Sequence, residues 1–250
     1  MIYMALVELA EREGLLVDPA YEPVEVHYLV HVGEGGRYLG CEAPRNELPS
    51  GAPKRIRARP PRRSIPRRSN RTSAPHAEFL VDKAEYVFGI DPATKRPEKQ
   101  LTERRRLFRE RIAKALVKLP HKLSLKALHA FLGRDAPADI RKLLVAESAT
   151  ERVALSGALF AFLYEPDGGT LCVHDDPEVK SYFTQVLEDE SGEEKGQCLV
   201  TGLTDVALSR LHARPKGIPP RKETGGGVPL TSFNEEAFSP NPKIDQAARR

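Results

Sequence analysis

The segment from residue 44 to residue 75 sets the first limit on how this chain can fold. Prolines at 44, 49, 53, 60, 61, 66 and 75 punctuate it. Each fixes φ and removes a backbone donor, so no helix can run through. Within it, "PKRIRARPPRRSIPRRSNRTS" (53–73) carries nine Lys or Arg and no Asp or Glu. Such a stretch cannot supply a core. It predicts a long, extended basic arm over 44–75, with the packed structure built from what lies on either side.

On the N-terminal side, "MIYMALVELAEREG" puts Ile2, Leu6, Leu9 and Ala10 at helical spacing before Gly14. "VEVHYLVHV" (24–32) alternates as one strand, with Val24, Val26, Tyr28, Val30 and Val32 on one face and Glu25, His27, Leu29 and His31 on the other. "GEGG" turns the chain and "RYLGCE" returns as the partner strand of a hairpin. Beyond the arm, Asp82 is placed as an N-cap with Glu85 three residues later, as in a capping box. "TERRRLFRERIAKALVKL" (102–119) predicts a helix with Leu107, Ile112, Ala115, Leu116 and Leu119 on its apolar side. Arg104, Arg105, Arg109 and Arg111 make its basic side. "LSLKALHAFLG" (123–133) continues the helical pattern to Gly133, and "ADIRKLLVAES" predicts a shorter helix.

Two aromatic-rich runs around "PDGG" in "ALFAFLYEPDGGTLCVHD" predict a second hairpin. "DPEVKSYFTQVLE" follows with Asp176 as N-cap and Pro177 at the first helical position. "CLVTG" and "VALSRLHA" read as short strands before an irregular, glycine-ended loop. The fold class expected is α+β: an N-terminal hairpin, the Pro/Arg-rich arm, a helical middle, a second hairpin and an irregular β and loop C-terminal part. Two regions are expected: 1–150, carrying the arm and the helical middle, and 151–250, truncated at its C-terminal end.

Charge is divided unevenly. Residues 54–118 hold 20 Lys or Arg against 7 Asp or Glu, and the remainder holds 19 against 28, so a local +13 is offset by −9 to leave the formal +4. That split points to a polyanion-binding region on an otherwise ordinary body, against the plainer reading of a solvated basic linker. Arginine is the informative choice, because its fork fits phosphates and guanine edges and its plane stacks on bases. The longest apolar runs are too short to span a bilayer, and the N-terminus lacks a signal-peptide pattern, so a cytoplasmic protein is expected.

The remaining chemistry is sparse. Cys172 and His174 in "LCVH" could ligate a metal, with Cys198 as a further donor, but no CxxC pair accompanies them. Alternation on a strand with a buried cysteine accounts for them better, and no metal or cofactor is expected. His27 and His31 read as sheet histidines. No nucleophile elbow or phosphate loop occurs, Asp167, Asp175 and Asp176 are explained by a turn and a cap, and no enzyme is expected.

The C-terminal third is more specific. "QCLVTGLTDVALSRLHARPKGIPPRKETGGGVPLTSFNEEAF" (197–238) resembles a signature of the large subunit of the subtype I-C CRISPR surveillance complex, Cascade. Cys198 to Gly202, Arg210 to His212, Lys216 to Ile218, Gly225 to Gly227, and Leu230 to Asn234 with Ala237 and Phe238 follow its order and approximate spacing. The opening "MIYMALVELAERE", the segment "RRSIPRRSNRTSAPHAEFLVDKAEYVFGID" and the hairpin "ALFAFLYEPDGGTLCVHDDPEVKSYF" are also similar to that family. Two departures stand out: "RKETGGGV" replaces a Gln-Ser-Ser-Gly-Ala turn, and "SPN" follows Phe238 where the family has Ser-Tyr-Gly. The chain is also shorter than the family's usual length, and an N-terminal part is expected.

The resemblance implies a non-catalytic subunit that recognises the protospacer-adjacent motif (PAM) in double-stranded target DNA. It also implies that the subunit helps open the duplex for guide pairing and recruits the helicase-nuclease. Its expected partners are that DNA, the crRNA-containing Cascade with its backbone and guide-end subunits, and the helicase-nuclease, with no membrane. The phosphate contacts expected are Arg57, Arg59, Arg62, Arg63, Arg67 and Arg68, with Arg104, Arg105 and Arg109 behind them. Asn70, Arg71, Thr72 and Ser73 are the expected PAM readers, and Lys216, Arg221, Lys222, Gly225, Gly226 and Gly227 form a second candidate loop. Two other classes stay open: a generic nucleic-acid-binding module, and a protein-interaction scaffold docking on guide RNA or other subunits.

Overall fold

A computed structural model describes residues 20–46, 59–69, 75–167 and 169–190 continuously, together with positions 5, 8–9, 12–13, 18, 195–197, 204, 206–209 and 248–249. The chain divides into two compact units, residues 17–183 and residues 1–16 with 184–250. Helices and sheets are both present, as an α+β chain requires.

The first unit is organised around one mixed sheet. The strands of the unit are β1 (Tyr21–Glu25), β2 (Tyr28–Gly33), β3 (Tyr38–Glu42), β4 (Arg62–Pro66), β5 (Asp82–Lys83), β6 (Leu159–Glu165) and β7 (Leu171–Cys172); β1 and β4 form a separate two-stranded sheet, and the other five make up the mixed one. β2 pairs antiparallel with β3 and parallel with β6, in register from Tyr28 opposite Phe160 to Gly33 opposite Glu165. The other edge of β6 is shared by β5 at its start and β7 at its end, both antiparallel. β6 is therefore central and buried along all but its last residue, which is why "LFAFLYE" is an unbroken apolar run rather than an alternating one.

The helices are α1 (Ala84–Val87), α2 (Glu98–Lys118), α3 (Leu123–Leu132), α4 (Ala138–Leu143), α5 (Ala149–Gly157) and α6 (Pro177–Glu190). α2 and α3 deliver Phe108 and Phe131 against Phe162, and Phe88 meets Phe160 edge-on. The buried side of α2 is Phe108, Ile112 and Ala115, so Phe108 joins the expected apolar stripe. At the start of α6, Asp176 Oδ1 accepts from the amides of Glu178 and Val179, the cap read from sequence.

Two expectations are corrected and a third is refined. The single strand over 24–32 is two strands, because the chain changes partner at Val26 and His27. The Val26 amide donates to Pro61 O and the His27 amide to Leu159 O. Asp82 does not cap α1. It lies in β5, buried, and accepts from the amides of Glu78 and Lys83, while α1 starts at Lys83 with no side-chain cap. The extended arm expected over 44–75 is paired in part: Arg62–Pro66 is β4, antiparallel to β1 with Glu22 opposite Ile65. Ile65 is fully buried and supplies the apolar anchor that a Pro- and Arg-rich strand otherwise lacks.

Residues Glu34–Gly36 form a 3-10 turn between β2 and β3 that lies directly on α3. Gly36 has φ +77°, and a Cβ there would fall 2.5 Å from the Phe131 amide nitrogen and 2.8 Å from Ala127 O. Arg134 donates to both Gly35 O and Gly36 O, at 2.9 Å each.

In the second unit, β9 (Val206–Ser209) pairs antiparallel with β8 (Lys195–Gly196) and with β10 (Ala248–Arg249). Ala5, Glu8, Leu9 and Arg12 are helical, in keeping with the opening helix read from sequence.

The turn on α3 gives the first prediction. Gly36→Ala should lower unfolding free energy by about 2–4 kcal/mol, from left-handed strain and overpacking together. Gly35→Ala has similar φ but open space around its Cβ, and should cost only about 1–2 kcal/mol. Urea unfolding midpoints of the two variants check the order.

Candidate nucleic-acid interface

β4 alternates as a strand must. Arg62 and Ser64 point to solvent, while Arg63 and Ile65 turn the other way, half-buried and buried. Pro66 ends it, tolerable because β4 pairs only with β1 among the described residues. Two acidic side chains hold the strand's exit. Glu22 on β1 accepts from the Arg68 amide at 3.1 Å and from Arg68 Nε at 3.0 Å. Glu78, itself buried, accepts from the amide and hydroxyl of Ser69 at 3.1 and 3.0 Å. Beyond residue 75, Arg111 reaches back from α2 to donate to Ala77 O at 2.8 Å and to contact His76 Nε2.

These contacts sort the arginines. Arg68 is tied to Glu22. On α2, Arg104 turns inward, with its side chain 13% exposed. It donates to Tyr86 Oη, lies 4.8 Å from that ring's centroid and pairs with Glu85. Arg105 donates to Leu132 O and Arg134 O at the C-terminal end of α3, where uncapped carbonyls favour a cation. Arg106 is engaged by Glu103 and Glu110 on its own helix.

Arg59, Arg62, Arg63 and Arg67 have no side-chain hydrogen-bond or ion-pair partner among the described residues, and neither does Arg109. Arg63 Nε is both buried and unpaired. Arg109 stands at a shallow hollow of about 360 Å³ between α2 and α3 that Arg105, Arg106 and His129 also line. Burial and the Arg109 charge hold His129 below its ordinary pKa, so this hollow presents a neutral imidazole beside guanidinium groups. The described arginines therefore fall into a structural set, Arg68, Arg104 and Arg105, and an available set, Arg59, Arg62, Arg67 and Arg109, while Arg63 is half-buried and turned toward Cys172 and His174. Arg57, Asn70, Arg71, Thr72 and Ser73 lie outside the described residues, as do Lys216, Arg221, Lys222, Gly225, Gly226 and Gly227.

A second group gathers at the end of β7. The strand stops at Cys172, and Val173–Asp175 curls into a 3-10 turn. The expected strand alternation of Cys172 and His174 is replaced by a turn that adds Asp175. Cys172 Sγ lies 3.3 Å from His174 Nδ1 and 3.4 Å from Nε2, and Asp175 Oδ2 is 4.0 Å from Nε2. His174 is fully buried. Burial holds its pKa well below normal, against the opposing pull of Asp175, and Arg63 lowers it further. Burial, with Asp175 adding to it, pushes the Cys172 thiol up to about 12.

The first unit thus combines helices with sheets and carries four arginines on and beside β4 that have no side-chain hydrogen bond or ion pair among the described residues. Residues 2–248 match the family model described as CRISPR-associated protein (Cas_Csd1), and the chain belongs to that family. Membership supports a component of a CRISPR Cascade assembly. Comparison with curated proteins finds no match. Among the described residues, no helix is long and apolar enough to cross a membrane.

The sorting of arginines is open to direct test. Arg104→Ala should cost about 1.5–3 kcal/mol of stability, because it leaves buried partners of a charged hydrogen bond unmatched. Arg109→Ala should stay within about 0.5 kcal/mol of the parent. Urea denaturation of the two variants measures both.

Proposed function

We propose that this chain is the PAM-recognising large-subunit part of a type I-C Cascade. In this reading it grips duplex DNA next to the target, assists strand separation and presents a surface to the helicase-nuclease, without cutting DNA itself. The observation that carries the reading is the unpaired arginine set on and beside β4. Guanidinium groups with no internal partner are free for phosphate, and a paired, anchored strand presents them in fixed register. Phosphate contacts position a duplex, and base-edge contacts give the sequence preference. Arg59, Arg62 and Arg67 are the proposed phosphate contacts, with Arg109 on α2 as a further one; Arg63, expected among them, is half-buried on the inward side of β4. Asn70 and Arg71 remain the proposed base readers on sequence grounds, directly following Ser69, which Glu78 holds.

The energetic demand is modest. By analogy with single-protein RNA-guided effectors, separating a duplex costs about 1.4 kcal/mol per base-pair step and guide pairing returns a similar amount. The protein need only hold the duplex while the first pairs form. A cytoplasmic site of action is inferred with this role.

In the assembled complex, Arg62→Ala and Arg67→Ala should each weaken duplex binding and reduce the slope of log affinity against log salt by about 0.9 per lost phosphate contact. Their thermal stability should be unchanged. Asn70→Ala or Arg71→Ala should erase the difference between motif and non-motif duplexes. Competition binding across a salt series reads both effects. Equal affinity of the parent complex for the two duplexes would favour a generic nucleic-acid module. Loss of assembly with duplex binding intact would favour a scaffold.

A further inference from the structure

We infer that the Cys172–His174–Asp175 turn is a binding site for a zinc-class divalent cation, independent of the DNA-binding reading. The turn itself brings the donors together. Cys172 closes β7 immediately before the turn that carries His174 and Asp175, so the three side chains come from four consecutive residues. Their donor atoms all fall within 4.8 Å of one another. Ion-to-ligand distances of about 2.0–2.3 Å in a tetrahedral site place neighbouring ligand atoms roughly 3.3–3.7 Å apart. The 3.3 and 3.4 Å separations of Cys172 Sγ from the two His174 nitrogens lie at the lower end of that range, and the 4.0 Å to Asp175 Oδ2 needs only a small closure.

The imidazole supplies the second observation. A ring that is fully buried normally has a good partner on each nitrogen. Among the described residues, the His174 nitrogens meet only the thiol and the distant Asp175 oxygen. Sγ is nearly equidistant from both nitrogens, so it lies in line with neither, and both ring nitrogens lack an in-line partner among the described residues. A cation on the lone pair of one nitrogen, with the Cys172 side chain turned to meet it, would satisfy the ring in a way the thiol does not.

The surroundings are already held. Tyr21 Oη donates to His174 O at 3.4 Å, and Lys180 Nζ holds Asp175 Oδ1 at 3.0 Å, leaving Oδ2 turned toward the ring. Such contacts fix ligand orientation. Sulfur, imidazole and carboxylate donors select zinc or its close analogues over magnesium or calcium. Arg63 and Lys180 are the cations facing the cluster and oppose the ion. The Asp175 carboxylate and the Cys172 thiolate, whose proton passes to buffer as the ion binds, offset its charge. Three protein ligands leave one position for solvent on the side where Asp175 is exposed.

The test uses the purified full chain, stripped with a chelator and titrated with Co2+. One cobalt per chain with a thiolate-to-cobalt charge-transfer band is expected, displaced by Zn2+. Cys172→Ser should lose the band while Cys41→Ser keeps it. Asp175→Asn, a near-isosteric change at an exposed position, should weaken Co2+ binding by at least tenfold. The inference is overturned if the parent chain gives no band, if the band survives in Cys172→Ser, or if Asp175→Asn binds Co2+ as tightly as the parent. The Asp175 arm decides the matter should Cys172→Ser fail to fold by circular dichroism.

Discussion

The parallel register between β2 and β6 is the constraint on which the rest of the first unit depends. Tyr28, Val30 and Val32 stand beside Phe160, Phe162 and Tyr164 on one face of the sheet. That aromatic row receives Phe108 and Phe131 from the two main helices, and Tyr28 stacks on Phe160 at 4.8 Å. A slip of one residue would turn the whole row to the opposite face. On that face His31 Nδ1 sits 2.5 Å from Glu165, with Glu42 at 3.7 Å, a polar arrangement that could not accept the helices. The same register fixes where β6 ends, and hence where β7 pairs and the Cys172 turn begins.

Charge in this chain is distributed by partner more than by position along the sequence. Arg104, Arg105, Arg106 and Arg109 sit within six residues on one helix, yet they have separate fates. One is drawn into Tyr86 and Glu85, one seals the carbonyl end of α3, one is neutralised within its helix, and one stands unpaired. The cluster of like charge is tolerable because three of its members are matched by anions or carbonyl dipoles. On and beside β4 the matching stops among the described residues, with Arg68 on Glu22 the exception.

Much of this was legible in the chain. The helix at 98–118 announces itself by period, Gly133 marks the end of α3, and Asp176 with Pro177 marks the start of α6. The hairpin over β2 and β3 follows from "GEGG" and from alternation. What escaped depended on distant partners. That β4 exists rests on Ile65 finding cover and on β1 offering an edge, and neither is a local property of "RRSIP". Asp82 carries every local sign of a cap but is claimed by the Glu78 amide and by pairing with β6. The capping box of Ser148 and Glu151 that starts α5 was visible as "SATE", and was obscured because no side chain of that helix is buried. At the interface, the count of arginines was readable but their division into structural and available groups was not. That division is decided by Glu22, Glu85, Tyr86 and the α3 carbonyls.

The edge presented by β4 has one more consequence. Among the described residues β4 pairs only with β1, and a strand edge without a neighbour is a template on which another chain can add; proteins blunt such edges with charge and with proline. β4 has both: guanidinium groups along and beside it, and Pro60, Pro61 and Pro66 around it. Like charge along the strand works against pairing with a second copy of itself. Under the proposed function, the side chains that would hold phosphate are the same ones that guard this edge.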